Sequence, residues 1–371
     1  FEFFRNRDLN ANDFFRNRSC GLNLAPCLAG GGVKQILNQN QFGGTVGGPI
    51  KKDKMFFFIS YQETRQLNGV GTQGNSAPVL PLLPGGDRSN TAAFRSALGA
   101  IWCPDNHASD PALARYKTQA GGLQVACDGS NINPVTIKML QLKLPNGSYY
   151  IPGSTGSNFQ QNTFSTPARF TEHQAVGNWD WALTPKESLQ ARFFTGQGPQ
   201  TVPFSNAIGE LPGTPVDLLS ANTNAALKLT SIITNTLLNE ARLSFQRNLA
   251  AANNGTPFTA TQVGMTPINP GIDVLNPITV SGYFNLAGGI GDDVFDPTDQ
   301  FQIADTMSWS KGKHTIRAGA EVEHINWDIV FKGIERGNTT ILSFPDFLMG
   351  RAGCSPAAVG CSPTNPGASN G

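Results

Sequence analysis

The chain has 371 residues, a formal net charge of +1, 41 glycines, 25 prolines and 24 phenylalanines, with charged residues at only 14%. Near-neutrality and the lack of any long basic run argue against a nucleic-acid binder. No apolar run reaches the roughly twenty residues of a membrane-crossing helix, and mean hydropathy is −0.21, but a transmembrane β-barrel stays open because its strands alternate and each carries a weak signal.

Length alone admits two or three ordinary domains or one large β structure, and the glycine-, proline- and phenylalanine-rich composition favours the second. Phe1 to Arg7 reads as a strand and Asp8 to Asn38 as a polar, glycine-rich loop. From about Gln39 to Thr64 two period-two runs form a hairpin. Phe42, Gly44, Val46, Gly48 and Ile50 share one face of its first strand, and Met55, Phe57, Ile59 and Tyr61 one face of the second. Lys51-Lys52-Asp53-Lys54 is the turn. Four glycines in one strand weaken it unless something packs close to the backbone, and a domain filling a barrel would supply such a neighbour.

A long irregular stretch is expected from Arg65 to about Phe170, with two short helices at Thr91 to Ile101 and Pro134 to Leu144; insertions of this length tend to be functional. Strand rhythm returns at Thr171. Ala175, Gly177, Trp179, Trp181 and Leu183 oppose Gln174, Asn178 and Asp180, and after the turn Thr184-Pro185-Lys186-Glu187, Leu189, Ala191 and Phe193 oppose Ser188, Gln190 and Arg192. A loop from about Gly196 to Asn222 precedes a hairpin over Asn224 to Asn248 that turns near Thr234-Asn235. A loop over Leu249 to Thr298 precedes another, Asp299 to Trp309 and His314 to Trp327. A last possible strand lies at Thr339 to Phe344.

Short turns therefore alternate with long loops, which is the arrangement of outer-membrane barrels with short periplasmic turns and long extracellular loops. Strands of about ten residues match a tilted crossing of the hydrocarbon layer. Every backbone group must be paired internally in lipid, so such strands must close on themselves. The fold expected is all-β, an antiparallel transmembrane barrel of about nine or ten strands. Trp179, Trp181, Leu189 and Phe193 would face lipid and Asn178, Asp180, Gln190 and Arg192 the interior. Phe56, Tyr61, Trp309 and Trp327 could form interfacial aromatic girdles, unless they are ordinary core residues.

The six cysteines fall as three local loop pairs, Cys20 with Cys27, Cys103 with Cys127 and Cys354 with Cys361. Metal spacing is absent, so disulfides in an oxidising compartment are expected, with free loop thiols as the alternative. Gly69-Val70-Gly71-Thr72-Gln73-Gly74 has spaced glycines after a strand, but Ser76-Ala77-Pro78 stands where a dinucleotide-binding helix would open. His107, His173, His314 and His324 are scattered. Asp292, Asp293, Asp296 and Asp299 could offer oxygens to calcium, but their order matches no calcium loop, and a solvated loop is expected. Glu321 and Glu323 with Arg317 read as interior ion pairs. No nucleophile elbow, phosphate loop or zinc signature occurs; no cofactor and no enzymatic activity are expected.

The run Asn40-Gln-Phe-Gly-Gly-Thr-Val-Gly-Gly-Pro-Ile-Lys-Lys-Asp-Lys-Met-Phe-Phe-Phe closely resembles the first barrel hairpin of TonB-dependent outer-membrane receptors, nearest their Oar-like subgroup. Phe1-Glu2-Phe3-Phe4-Arg5-Asn6 and Asn12-Asp13-Phe14-Phe15 look like the strand and loop before it. The match is specific over about twenty-five residues and elsewhere lies in strand rhythm. The resemblance implies residues 1–371 as the N-terminal portion of such a barrel domain, with residues 65–170 as a long loop insertion and with the plug and remaining strands absent. It further implies a place in the bacterial outer membrane among its lipids, and uptake of a carbohydrate, siderophore or similar bulky nutrient bound by the long loops. The TonB complex would act through the missing N-terminal part. A surface-exposed β-rich adhesin or glycan-binding protein is the alternative reading.

Overall fold

A computed structural model describes residues 1–11, 36–69, 74–120, 122–154, 160–162, 164–204, 209–255, 257–286, 293–332, 335 and 337–351. Nine strands follow one another in an antiparallel meander: β1 (Glu2–Arg5), β2 (Leu37–Lys51), β3 (Met55–Asn68), β4 (Ala168–Thr184), β5 (Glu187–Val202), β6 (Val216–Thr234), β7 (Leu237–Asn254), β8 (Val294–Lys311) and β9 (His314–Trp327). The segment Val330–Phe331 turns back onto Val294 and Phe295 and makes a tenth. Each strand pairs with its sequence neighbour, as the alternation of short turns and long connections requires.

Register turns the period-two pattern into two continuous faces. Phe57, Trp179, Ala191, Leu227, Leu243, Ile303 and Val322 lie opposite one another across seven strands. One residue along, Phe58, Asn178, Arg192, Ala226, Ser244, Gln302 and Glu323 form the matching row on the other face. A slip of one residue would exchange the two faces, so the pattern fixes the register. The apolar face is also the open one: Ile303 is 62% exposed, while its chain neighbour Ala304 on the polar face is 8% exposed. The apolar row faces lipid and the polar row the interior.

Several expectations need correction. Beyond β1, the strands are longer than ten residues; β6 and β7 have 19 and 18. At their loop-side ends, Val216-Asp-Leu-Leu-Ser in β6 and Leu249-Ala-Ala-Ala-Asn-Asn in β7, strict alternation fades while backbone pairing continues. Phe56 and Trp327 share the polar face with Asp180 and Thr298, which removes them from a lipid-side girdle and leaves Tyr61 and Trp309 on the apolar face. Two of the four β2 glycines have close neighbours within the sheet itself. On the polar face, a Cβ at Gly43 would meet the Tyr61 carbonyl oxygen at 2.5 Å and the Phe1 ring at 2.9 Å, and one at Gly47 the Phe58 ring at 3.1 Å. Aromatic rings of the same sheet lie over these bare stretches of backbone.

The stretch from Arg65 to Phe170 is not structureless. It holds α1 (Thr91–Trp102) and α2 (Pro134–Gln141), each opened by an asparagine cap, the Ala93 N–H donating to the Asn90 side chain and the Val135 N–H to that of Asn133. The other long connections add α3 (Ala260–Val263), α4 (Phe344–Leu348) and a small sheet in which Ile278–Val280 pairs with Phe284–Leu286 and, in parallel, with Thr339–Ile341. The strand expected at Thr339 to Phe344 thus belongs to this sheet and not to the barrel wall, and Phe344 opens a helix.

Together these segments build one hydrophobic core, the cap, at the loop end of the strands. Leu98, Trp102, Ile137, Leu140, Leu211, Phe258, Phe284 and Phe344 from four different connections are buried in it. The Trp102 ring packs 4.7 Å from Phe344 and 5.7 Å from Tyr116, and its indole N–H donates to the Leu82 carbonyl at 2.9 Å. None of these loops could bury its apolar residues alone, which is why the combined fold is invisible to a local pattern search.

Candidate functional site

The inner wall takes its chemistry from the residues that alternate with the lipid row. Arg192 Nη2 lies 2.8 Å from Asp180 Oδ1 on the neighbouring strand. Lys228 and Arg317 both approach Glu240, at 3.6 and 3.5 Å. Gln302 donates to Glu321 Oε1 at 2.6 Å and accepts from the Ser244 hydroxyl at 2.9 Å; Gln300 donates to Glu323, and Asn222 to Asn248. Arg317, Glu321 and Glu323 are on the inner face as expected, but Arg317 reaches across to Glu240 and the two glutamates take glutamine donors. These half-exposed pairs contribute about 0–1 kcal/mol each. Their chemical consequence is a wettable wall whose donors and acceptors already satisfy one another, suited to weak, repeated contact with polar solutes.

The cap supplies the other half of the site. Arg88 is buried, donates to the Leu140 and Ile151 carbonyls at 2.9 and 2.8 Å, and lies over the Tyr149 ring at 4.1 Å. Burial pulls its guanidinium below its ordinary pKa. Asp346 is fully buried and receives the backbone N–H groups of Gln119 and Ala120. Thr136 donates to the Phe347 carbonyl at 2.7 Å, and the Asn133 N–H to that of Leu348 at 2.9 Å, which fixes α2 against α4. Between them lies a recess of about 310 Å³ lined by Asn133, Thr136, Met139, Met265, Ile341 and Phe347. Two methionines and a phenylalanine beside amide and hydroxyl groups make a surface that can re-pack around a ligand of mixed polarity.

The sequence candidates distribute as follows. Cys103 and Cys127 are joined in a disulfide with Cα atoms 4.7 Å apart, and it ties the end of α1 to the turn before α2. Cys20, Cys27, Cys354 and Cys361 lie outside the described residues. Cys103, Asp105 and Cys127 are the His, Cys, Asp and Glu side chains that cluster closely enough for a metal among the described residues, and the disulfide leaves no thiolates there to bind one. The acidic run is dispersed. Asp293 accepts the Asn254 N–H, Asp296 the Trp327 indole N–H, and Asp299 faces Arg247; Asp292 lies outside the described residues. Gly74 leads into a short strand, Asn75–Ser76, paired with Phe164–Ser165, and not into a helix.

Sequence reasoning missed the cluster above the lipid row on β3 and β4. The Tyr61 hydroxyl donates to Glu63 Oε2 at 2.9 Å and stands 2.9 Å from His173 Nδ1, with Arg65 against Glu63. Tyr61 and His173 sit 112 positions apart, and only the β3–β4 register brings them together.

The Outer membrane beta barrel domain family matches residues 1–366. The TonB-dependent transporter Oar of Myxococcus xanthus is 35% identical over 112 residues, which is 25% of this chain and 10% of that protein. Among solved structures, the Escherichia coli outer membrane transporter YddB aligns over 88% of this chain and 30% of its own, at 6% identity and a TM-score of 0.43. The Pseudomonas putida toluene transporter TodX aligns over 79% of this chain and 58% of its own, at 10% identity and a TM-score of 0.21. The chain thus spans a tenth of the curated relative's length.

Proposed function

The chain belongs to the Outer membrane beta barrel domain family, and on that premise we propose that it forms the first part of the wall and the outer cap of a TonB-dependent nutrient transporter. The observation that carries this reading is the pairing of two opposite faces on one continuous sheet, apolar toward lipid and ion-paired toward the interior. A sheet of this kind is placed in the bacterial outer membrane, where its loop end meets the outside. The local identity to Oar supports coupling to TonB; the cap supports a ligand too bulky for a simple pore.

In this reading the recess between α2 and α4 makes first contact with a carbohydrate, a siderophore or a similar nutrient, and the inner wall offers exchangeable hydrogen bonds during passage. Cargo movement needs no bond to break, and the protein acts as a transporter and not as an enzyme. Lipid, the TonB complex and the nutrient are the partners, and no cofactor takes part.

The test is growth of the source bacterium, with and without the gene, on a panel of glycans and ferric siderophores supplied as limiting nutrients. Loss of uptake of one nutrient, reproduced in a strain lacking TonB, is the expected result. Intact uptake of every nutrient, with loss of adherence to surfaces or glycans, would overturn it in favour of an adhesin.

A further inference from the structure

The lipid-facing side is not an even surface. Gly177 on β4, Ala191 on β5 and Ala225 on β6 leave a floor of small residues, while Trp179, Phe193 and Phe245 stand around it. The resulting groove encloses about 570 Å³. The next residue above Gly177 on this face, Ala175, is also small.

One two-residue step toward the cap, about 7 Å along the strands, the same face changes character. Thr195, Thr223 and Arg247 lie side by side there, directly beyond Phe193, Ala225 and Phe245. The two threonine hydroxyls are 3.1 Å apart. Arg247 is about half exposed, and its nearest carboxylate oxygen, Asp299 Oδ1, is 3.7 Å away, beyond hydrogen-bond reach; that oxygen is buried and accepts no hydrogen bond. An apolar slot therefore ends beneath two hydroxyls and the guanidinium of Arg247, paired at 3.7 Å with Asp299.

We propose that this groove is a specific site for one phosphate-bearing lipid of the outer leaflet. An acyl chain fills the slot over Gly177, Ala191 and Ala225, and the headgroup phosphate takes hydrogen bonds from Thr195, Thr223 and Arg247. The slot is bordered mainly by residues of the apolar face, so a hydrocarbon chain is the occupant that suits it. The charge above selects an anionic headgroup over a zwitterionic one, in the way that basic positions at a membrane surface recognise acidic lipids. The inference rests on the barrel wall and not on what the protein transports.

The protein extracted from outer membranes in mild detergent is to be analysed by native mass spectrometry after addition of lipid A or of phosphatidylcholine. One lipid A molecule should be retained at least tenfold more than phosphatidylcholine. Ala191→Phe, which fills the floor, should abolish retention, and Arg247→Gln should reduce it about tenfold. Ala320→Phe, on the same face at β9 and away from the groove, should leave it unchanged. Equal retention of the two lipids, or undiminished retention by both Ala191→Phe and Arg247→Gln, would overturn the proposal, as would an equal loss in Ala320→Phe.

Discussion

Replacing Asp346 by alanine removes a carboxylate that ties α4 to a turn 227 residues earlier in the chain. Its oxygens accept the Gln119 N–H at 2.9 Å, the Ala120 N–H at 3.2 Å and the Ser343 hydroxyl at 2.5 Å. Alanine leaves the two backbone donors without acceptors, and at about 1–3 kcal/mol for each orphaned group the expected loss is about 2–6 kcal/mol. Asparagine keeps one acceptor oxygen and should lose about half of that. Because about 1.4 kcal/mol is a factor of ten, local opening around Gln119 should become roughly 30- to 20,000-fold more frequent in the alanine variant. Hydrogen–deuterium exchange on peptides spanning residues 115–125 reads this directly. Unchanged protection there in Asp346→Ala would refute the view that the cap is one cooperative unit assembled from distant loops.

Three further outcomes are expected. Gly99→Val should destabilise the cap by about 1–3 kcal/mol, the usual range for overpacking, because any Cβ at that site of α1 runs into the Gly129 backbone; a thermal melt equal to wild type would contradict the close approach. Leu227→Arg, mid-way along the lipid row and opposite Leu243, should cost about 2–4 kcal/mol in urea titrations of the vesicle-embedded protein, whereas Ala226→Arg on the inner face should cost less than about 1 kcal/mol; equal costs would remove the distinction between faces. Burial pushes the Tyr283 hydroxyl well above the ordinary tyrosine range. Its raised folded-state value means that its share of stability is complete below about pH 10 and is lost as pH rises further, so the cap should loosen under strong alkali, and absorbance at 295 nm should show this tyrosine ionising only as the cap opens.

The wall was legible because its information is local. Trp179, Trp181, Leu189 and Phe193 opposed to Asn178, Asp180, Gln190 and Arg192 state both the strand and its face, and short turns state which strands are neighbours. Two things blurred the reading. Beyond the hydrocarbon layer lipid no longer demands alternation, so the ends of β6 and β7 lost their signal. Aromatic residues at strand ends were assigned by type where parity decides, and Phe56 and Trp327 fell on the inner face.

The cap was hidden for a different reason. Leu211, Phe258, Phe284 and Phe344 each sit in segments that look irregular, and their burial depends on partners supplied by other loops. The α1 and α2 helices were expected close to where they form, but nothing in either stretch names the surface it packs on. The Tyr61, Glu63 and His173 cluster likewise exists only once β3 and β4 are in register.

The central claim is that the two faces of one sheet meet two different solvents. Single cysteines at Leu227, Leu243 and Ile303 and at Ala226, Ser244 and Gln302, labelled with nitroxide in membrane-embedded protein, test it through collision with oxygen and with a water-soluble nickel complex. The account predicts that the first three favour oxygen and the second three nickel, alternating residue by residue. The same solvent at both sets of positions would contradict it.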